Sequence, residues 1–287
     1  MYTAYGDESA DETKQRVFAL SGLFGSKPDW DALREKWRAR TGGKSFHATD
    51  CDTDQGDYKG IEHAQNKKLY ADLTRLIADS NLIGYVAVMD LQAYREIVAP
   101  ALHEEPYYYA FYSVVITIAK KASLSIPRGR IKFFFDRNQQ IEYNAGALYD
   151  RIINRSLPSR ELMDDEISFV TREEIGVQAA DLVAREGMKL LDNELGPVSR
   201  PTRLSAQVLM ATHRINFRFY RRAWFISLVE GSRLSETGYS WAEYQKWLDE
   251  HGLTHTVPNK LRYEATRQDL QGKVRKLFDE FREDTSN

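Results

Sequence analysis

The chain opens Met1-Tyr2-Thr3-Ala4-Tyr5-Gly6-Asp7-Glu8-Ser9, and the reading of this stretch decides the fold. Tyr2, Ala4 and Gly6 fall on one face of an extended segment, Thr3 and Tyr5 on the other, so it reads as a β-strand. The β-prone residues stop at Gly6, which puts Asp7 where a strand reaches the rim of its sheet. A carboxylate there contributes little to stability but is well placed to hold a metal ion.

Two later segments have the form needed to deliver carboxylates to the same rim. Residues 130–136 (RIKFFFD) read as a fourth strand that again ends in an acid, Asp136. Residues 176–191 read as a helix after a short fifth strand at 166–171, with Asp181 in its first turns and a largely apolar, small-residue surface. If strands one and four are parallel neighbours, Asp7 and Asp136 lie side by side, and the helix can bring Asp181 across them. Three unpaired carboxylates in contact repel and raise one another's pKa unless a cation neutralises them. Hard oxygen ligands without a Cys or His cluster favour Mg²⁺ or Mn²⁺ over zinc. Two such ions about 4 Å apart clamp the attacking and leaving oxygens of an in-line phosphoryl displacement. Taken singly, each acid has a plain structural role: Asp7 in a turn, Asp136 as a helix N-cap, Asp181 paired with Arg185 at i+4. Three acids at matching topological positions favour a site.

Between these segments, residues 10–15 read as a hairpin connection and 17–24 as a second strand, antiparallel to the first. Helices are expected at 29–40 and 62–80, separated by a polar, turn-rich loop at 44–60 that holds Phe46-His47-Ala48-Thr49-Asp50. Residues 82–89 form a third, nearly all-apolar strand, buried on both faces. A short helix is expected within 90–106, and longer ones at 107–123 and 140–155. The order implies an α/β fold: a mixed five-stranded sheet flanked by helices. The expected division is one domain at 1–195, with an insertion at about 28–82, and a helical C-terminal extension at 196–287 ending in an amphipathic helix at 262–282.

Composition sets outer limits. The 287 residues carry 40 Lys and Arg against 42 Asp and Glu, a net charge of −2, so no global basicity points to nucleic acid. The one cysteine, Cys51, excludes an internal disulfide and fits a reducing, cytoplasmic setting. No opening segment reads as a signal peptide, and no apolar run is long enough for a membrane span.

The opening Gly6-Asp7-Glu8-Ser9, the Phe46-His47-Ala48-Thr49-Asp50 loop, the strand end Phe134-Phe135-Asp136-Arg137 and the helix Gln178-Ala179-Ala180-Asp181-Leu182 resemble the bacterial and phage family DUF3800. The resemblance covers roughly residues 1–191 and implies an RNase H-like fold. It also implies a metal-dependent nuclease, linked to phage defence or mobile elements, with Asp7, Asp136 and Asp181 as ligands. Ala10 stands where the family pattern has glycine, and the helix at 107–123 contains no acid. A fourth ligand is therefore open among Glu8, Asp50, Glu104, Glu105 and Glu174. A fold hosts many chemistries, so the functional step is one of analogy.

His47, beside Asp50, is a candidate to shuttle protons or touch a scissile phosphate; as a structural residue it would bond its own loop. Gln178 could orient a ligand or read a base. His251 and His255 have zinc-like spacing, but Gly252 and Pro258 argue against a helix there. An acid-free window between Glu194 and Glu230 carries Arg214, Arg218, Arg221 and Arg222 interleaved with aromatics, a combination suited to phosphate contact and base stacking. The commoner role of such a segment is a solvated helix face. The leading expectation is a two-metal nuclease acting on DNA or RNA, with Asp7, Asp136, Asp181, Glu8 and His47 at its centre. The alternative is a non-catalytic module binding nucleic acid or protein; a homo-oligomer through the C-terminal helices is a further expectation. Nucleotide hydrolysis ranks last, since no P-loop is present.

Overall fold

The computed structural model describes residues 2–99, 105–125, 129–155, 161–237 and Lys246. Glu104, Trp241, Trp247, His251, His255 and the helix expected at 262–282, with the oligomer contact assigned to it, lie outside the described residues.

Strand formation follows the alternation read from the opening stretch. The strands are β1 (Tyr2–Ala10), β2 (Val17–Ser26), β3 (Ile83–Asp90), β4 (Ile131–Asp136), β5 (Met163–Val170) and β6 (Ile215–Tyr220). They form one mixed sheet in the order β5-β4-β1-β2-β3-β6. β1 pairs antiparallel with β2 and parallel with β4; β2 pairs antiparallel with β3, and β4 parallel with β5. This order and these directions give the expected α/β class, a mixed sheet flanked by helices, with one correction: the sheet has six strands, not five. β6 lies in the segment expected to be wholly helical. Its exposure alternates along Ile215, Asn216, Phe217 and Arg218 in the manner of a half-buried strand.

The β1–β2 connection is closed by Asp11. Its carboxylate accepts bonds from the amides of Thr13, Gln15, Arg16 and Val17 and from the Thr13 hydroxyl. Burial alone would raise this carboxyl, but those bonds outweigh it and hold it at about 2.

Helices cover both faces. One face carries α1 (Lys27–Thr41), the short α2 (Ala48–Thr53) and α3 (His63–Asp79). Ser26 and Asp29 form a capping box at the start of α1, and Gly42 closes it in the left-handed region at φ 62°. The buried Trp30 and Trp37 each place their indole N–H on a partner, Thr3 O and Gln178 Oε1, both at 2.9 Å. A short helix, α4 (Leu91–Ile97), follows β3. α5 (Pro106–Ser125) lies on the opposite face, where a Cβ on Gly22 would meet the side chains of Val114 and Ile118. α6 (Glu142–Arg155) joins it there through Tyr149, whose ring lies 5.7 Å from that of Phe133.

α7 (Ile175–Leu195) is buried over most of its length and runs against β1 and β2. α8 (Leu204–Ala211) follows it. Contacts divide the chain differently from the expected boundary at 195. One unit comprises residues 1–92 and 105–219, so α8 and most of β6 belong with the sheet. The second comprises 93–104 and 220–287. In it α9 (Arg222–Thr237) packs Phe225 edge-on to Tyr94 at 5.4 Å.

Close approach of α7 depends on Gly176, where a Cβ would stand 2.2 Å from the Tyr5 ring. Gly176→Ala is expected to destabilise the fold by about 1–3 kcal/mol, the usual cost of overpacking. A lowered urea midpoint with unchanged slope is the measurement; an unchanged midpoint would contradict it.

Candidate functional site: an acidic cluster at the sheet rim

β1 and β4 run parallel and in register to Gly6 and Phe135, so Asp7 and Asp136 are the next residues along neighbouring strands. Their shared face follows from alternation. Tyr5 stacks on Phe134 with ring centroids 5.2 Å apart, and Asp7 and Asp136 each lie two residues farther on. Asp7 pairs opposite Ser21, whose hydroxyl donates to Ala180 O at 2.7 Å. Asp181 is the next residue of α7, so α7 carries it onto the face that Asp7 and Asp136 occupy. Glu8 alternates to the other face, the α5 side.

The four carboxyls share a surplus of negative charge. Asp7 is 9% exposed and Asp181 4%. Burial, then Asp181, Glu8 and Asp136, hold the Asp7 carboxyl well above its ordinary value. Glu8 is pushed up to about 7, chiefly by burial. Asp136 and Asp181 are also raised by burial; the Arg137 amide and Arg172 oppose this at Asp136, and His47 and the Ala48 amide oppose it at Asp181.

Their direct contacts are few. Asp7 Oδ1 accepts from the Glu8 amide at 2.7 Å, Glu8 Oε1 from Asn138 Nδ2 at 3.4 Å, and Asp181 Oδ2 from the Ala48 amide at 2.7 Å. Among the described residues, Asp7, Glu8 and Asp136 have no Lys or Arg within ion-pair distance. This donor set, all carboxylate, suits a hard divalent cation. Yet among the described residues no three His, Cys, Asp or Glu side chains form a ready-made ion cage. Holding an ion therefore requires side-chain rotation, most of all by Glu8 on the opposite face.

The insertion loop seals one side of the cluster. His47 Nε2 lies 4.0 Å from Asp181 Oδ2. Its Nδ1 lies 3.0 Å from Asp50 Oδ2 without making a hydrogen bond. Next to His47, α2 is pinned to α7. Arg185 donates to Asp52 at 2.6 and 3.1 Å and to Thr49 at 2.8 Å, so it does not pair with Asp181 at i+4. Arg203 adds two bonds to Asp52, at 2.7 and 2.9 Å, and pairs with the fully buried Glu186 at 3.2 Å. Tyr70 and Ser205 complete the set, each donating to Glu186 at 2.6 Å. Burial raises the Asp52 carboxyl, but the two arginines outweigh it and hold it at about 2.

Several expected site residues are engaged elsewhere. Arg214, just before β6, donates to Ala78 O at 2.7 Å, and Arg218 lies on β6, separated from β1 by β2 and β3. Arg221 and Arg222 belong to the second unit, where Arg222 pairs with Glu96. The arginine window is thus an edge strand and a helix start, and Arg214 and Arg218 are not part of the acidic rim. Gln178 is held by Trp37, Ser45 and Arg172 O. Glu174 caps α7 and pairs with Arg34 at 2.8 Å, which removes it from the ligand candidates. Cys51 is buried, its thiol pushed up to about 12 by burial and nearby aspartates. The exposed Arg172 acts on Asp136, and separately Arg38 and Lys44 line a cleft of about 150 Å³ with Ser45, Glu173, Glu174 and Gln178. Asn138 escaped the sequence reading, though its place two residues after a strand-end acid was a usable signal.

No protein-family model matches the chain, and no curated protein matches it in sequence. Among solved structures it is similar to Bst-RNase HIII in complex with Mn²⁺ (13% identity, TM-score 0.40, 72% of this chain). The chain spans 59% of the length of that protein. It is also similar to ribonuclease H2 from Pyrococcus horikoshii OT3 (12% identity, TM-score 0.40, 96% of this chain and 100% of that one).

Two outcomes follow from the electrostatics. A carboxyl raised in the folded state binds its proton more tightly there, so its contribution to stability falls as pH rises between the unfolded and folded values. For Glu8 that window runs from 4.5 to about 7. Glu8→Gln is expected to raise stability by roughly 2–3 kcal/mol at pH 8 without divalent ions, and hardly at all at pH 4. Urea unfolding at the two pH values is the check, and equal effects at both would count against it. Asp52→Ala strands a buried Arg185 and is expected to cost about 3–5 kcal/mol, read as a fall in Tm.

Proposed function

We propose that the chain is a divalent-metal-dependent nuclease hydrolysing phosphodiester bonds, with Asp7, Asp136 and Asp181 as the core ligand set and Glu8 joining them. The observation that supports it most is that Asp7 and Asp181 are buried, Asp136 is half-buried, and the charges of Asp181, Glu8 and Asp136 all raise the Asp7 carboxyl, while among the described residues no Lys or Arg lies within ion-pair distance of Asp7 or Asp136. Keeping such groups ionised and together costs stability, and a hard cation offsets that cost. Mg²⁺ or Mn²⁺ bound there would supply Lewis-acid activation of water and stabilisation of the leaving oxyanion. The chain's own residues hold and orient: the Ala48 amide fixes one oxygen of Asp181, and the α2 clamp keeps His47 beside it. His47 is the side chain placed to contact an attacking water or a phosphate oxygen. Arg172, Arg38 and Lys44 are the cations suited to a polynucleotide backbone in place of the arginine window. Kinship with DUF3800 belongs to the same proposal.

A second reading keeps the scaffold and drops the chemistry: a module that binds nucleic acid without cutting it. The absence of a ready three-ligand cage among the described residues is the observation in its favour.

Cleavage assays with Mg²⁺ and Mn²⁺ on single-stranded, duplex and hybrid substrates separate the two. The nuclease reading expects turnover that EDTA abolishes. It also expects Asp7→Asn to lower turnover at least about a hundredfold, with stability unchanged or raised because a repelling charge is gone. Salt-dependent binding without metal-dependent turnover selects the second reading. Full activity of Asp7→Asn refutes the first.

A further inference from the structure

His47 sits at the N-cap of α2, with its backbone tied on both sides. Its carbonyl accepts from the Cys51 amide at 3.0 Å, and the amide of Ala48, the next residue, donates to Asp181 Oδ2 at 2.7 Å. Arg185 pins Thr49 and Asp52 of the same short helix. The imidazole therefore hangs from a fixed root, and its own torsions decide where the two ring nitrogens point. Nε2 lies 4.0 Å from Asp181 Oδ2, on the side of the acidic rim. Nδ1 is buried, and Asp50 Oδ2 is 3.0 Å from it, off the line that a hydrogen bond needs.

Asp50 is not committed elsewhere. As the third residue of α2 its carboxylate is placed to return a capping bond to the His47 amide, yet among the described residues it accepts no hydrogen bond and pairs with no Lys or Arg. The chain also clears space for it. Gly56 is in the left-handed region at φ 52°, and a Cβ there would stand 2.5 Å from Asp50 Oδ2. Glycine at this position thus serves the turn and leaves room for the carboxylate beside the His47 ring.

We propose that Asp50 is a positioning residue for His47: a small turn of the imidazole brings Nδ1–H into line with the Asp50 carboxylate, which fixes the ring and leaves Nε2 directed at the acidic rim. This rests on the nuclease reading above and deepens it. The partner of one imidazole nitrogen sets the tautomer, and so the role of the other. With its proton held on Nδ1, neutral His47 presents the Nε2 lone pair to a water at the rim. Without the Asp50 carboxylate the two nitrogens can exchange roles. Asp50, open from the sequence as a fourth metal ligand, serves His47 instead.

The test uses the full chain with Asp50→Asn, His47→Ala and the pair. The first readout needs neither metal nor substrate: ¹⁵N NMR of the imidazoles at about pH 8.5, above the ordinary histidine range. The His47 signals are those lost in His47→Ala. They should place a proton on Nδ1 in the wild type and shift it toward Nε2 in Asp50→Asn. The second readout is Mn²⁺-dependent cleavage. Asp50→Asn is expected to lower kcat about tenfold or more with KM hardly moved, and by less than about twofold beside His47→Ala. Its Tm should stay within about 2 °C of wild type, because the carboxylate it replaces makes no hydrogen bond in the fold. A wild-type proton on Nε2 alone, imidazole signals unmoved by Asp50→Asn, an unmoved kcat, or an equal loss of kcat in both backgrounds overturns the inference. So does a large fall in Tm, which would make the carboxylate structural. Wild type without metal-dependent turnover refutes the nuclease reading whatever the imidazole signals show; normal wild-type turnover with a His47 ring indifferent to Asp50→Asn refutes this inference alone.

Discussion

The near-backbone contact between α7 and the centre of the sheet is what the rest of the molecule answers to. Gly176 lies against the Tyr5 ring, and Ser21 bonds the carbonyl of Ala180. Small residues along this side of the helix let it approach where a larger side chain would hold it off. That approach carries the next residue, Asp181, to the face of the sheet on which Asp7 and Asp136 follow the last paired residues of β1 and β4.

The same contact creates an electrostatic cost. Carboxylates brought together under burial resist ionisation, and all four are raised. The fold offsets this nearby instead of within the cluster. One turn beyond Asp181, Arg185 enters a buried lattice with Asp52, Arg203 and Glu186 in which opposite charges balance. α7 therefore carries two contrasting environments: a compensated network that holds the insertion in place, and an uncompensated one at the rim. The contrast separates a structural ion-pair lattice from a site with spare affinity for a cation. His47 lies between the two, its loop anchored by the first and its imidazole facing the second.

Legibility in the sequence varied with the kind of signal. The strand end at Asp136 was readable because the apolar run stops at the acid, but the first strand runs on past Asp7 to Ala10, since its pairing with β2 continues where its pairing with β4 stops at Gly6. The small-residue helix was readable from its composition. Strand β6 was not: aromatic and arginine residues in alternation read as easily as a helix face, and its pairing beside β3 depends on a neighbour more than 120 residues earlier in the chain. For the same reason Arg214 passed for a phosphate contact until Ala78 O claimed it. The clamp between Arg185 and Asp52 joins positions 133 residues apart, and no local pattern announces such a pair.

By itself the sequence determined where the first five strands lie, that the fourth ends at Asp136, and that a small-faced helix follows the last of the parallel strands. These are consequences of local periodicity and steric size, which act over a few residues. Only the tertiary structure decided which partners each polar group meets. Arg185 turns to Asp52 and not to Asp181, and Glu174 goes to Arg34. Such choices depend on chain crossings and burial, because a charged or hydrogen-bonding group settles on whatever compensation the whole fold places within about 3 Å of it.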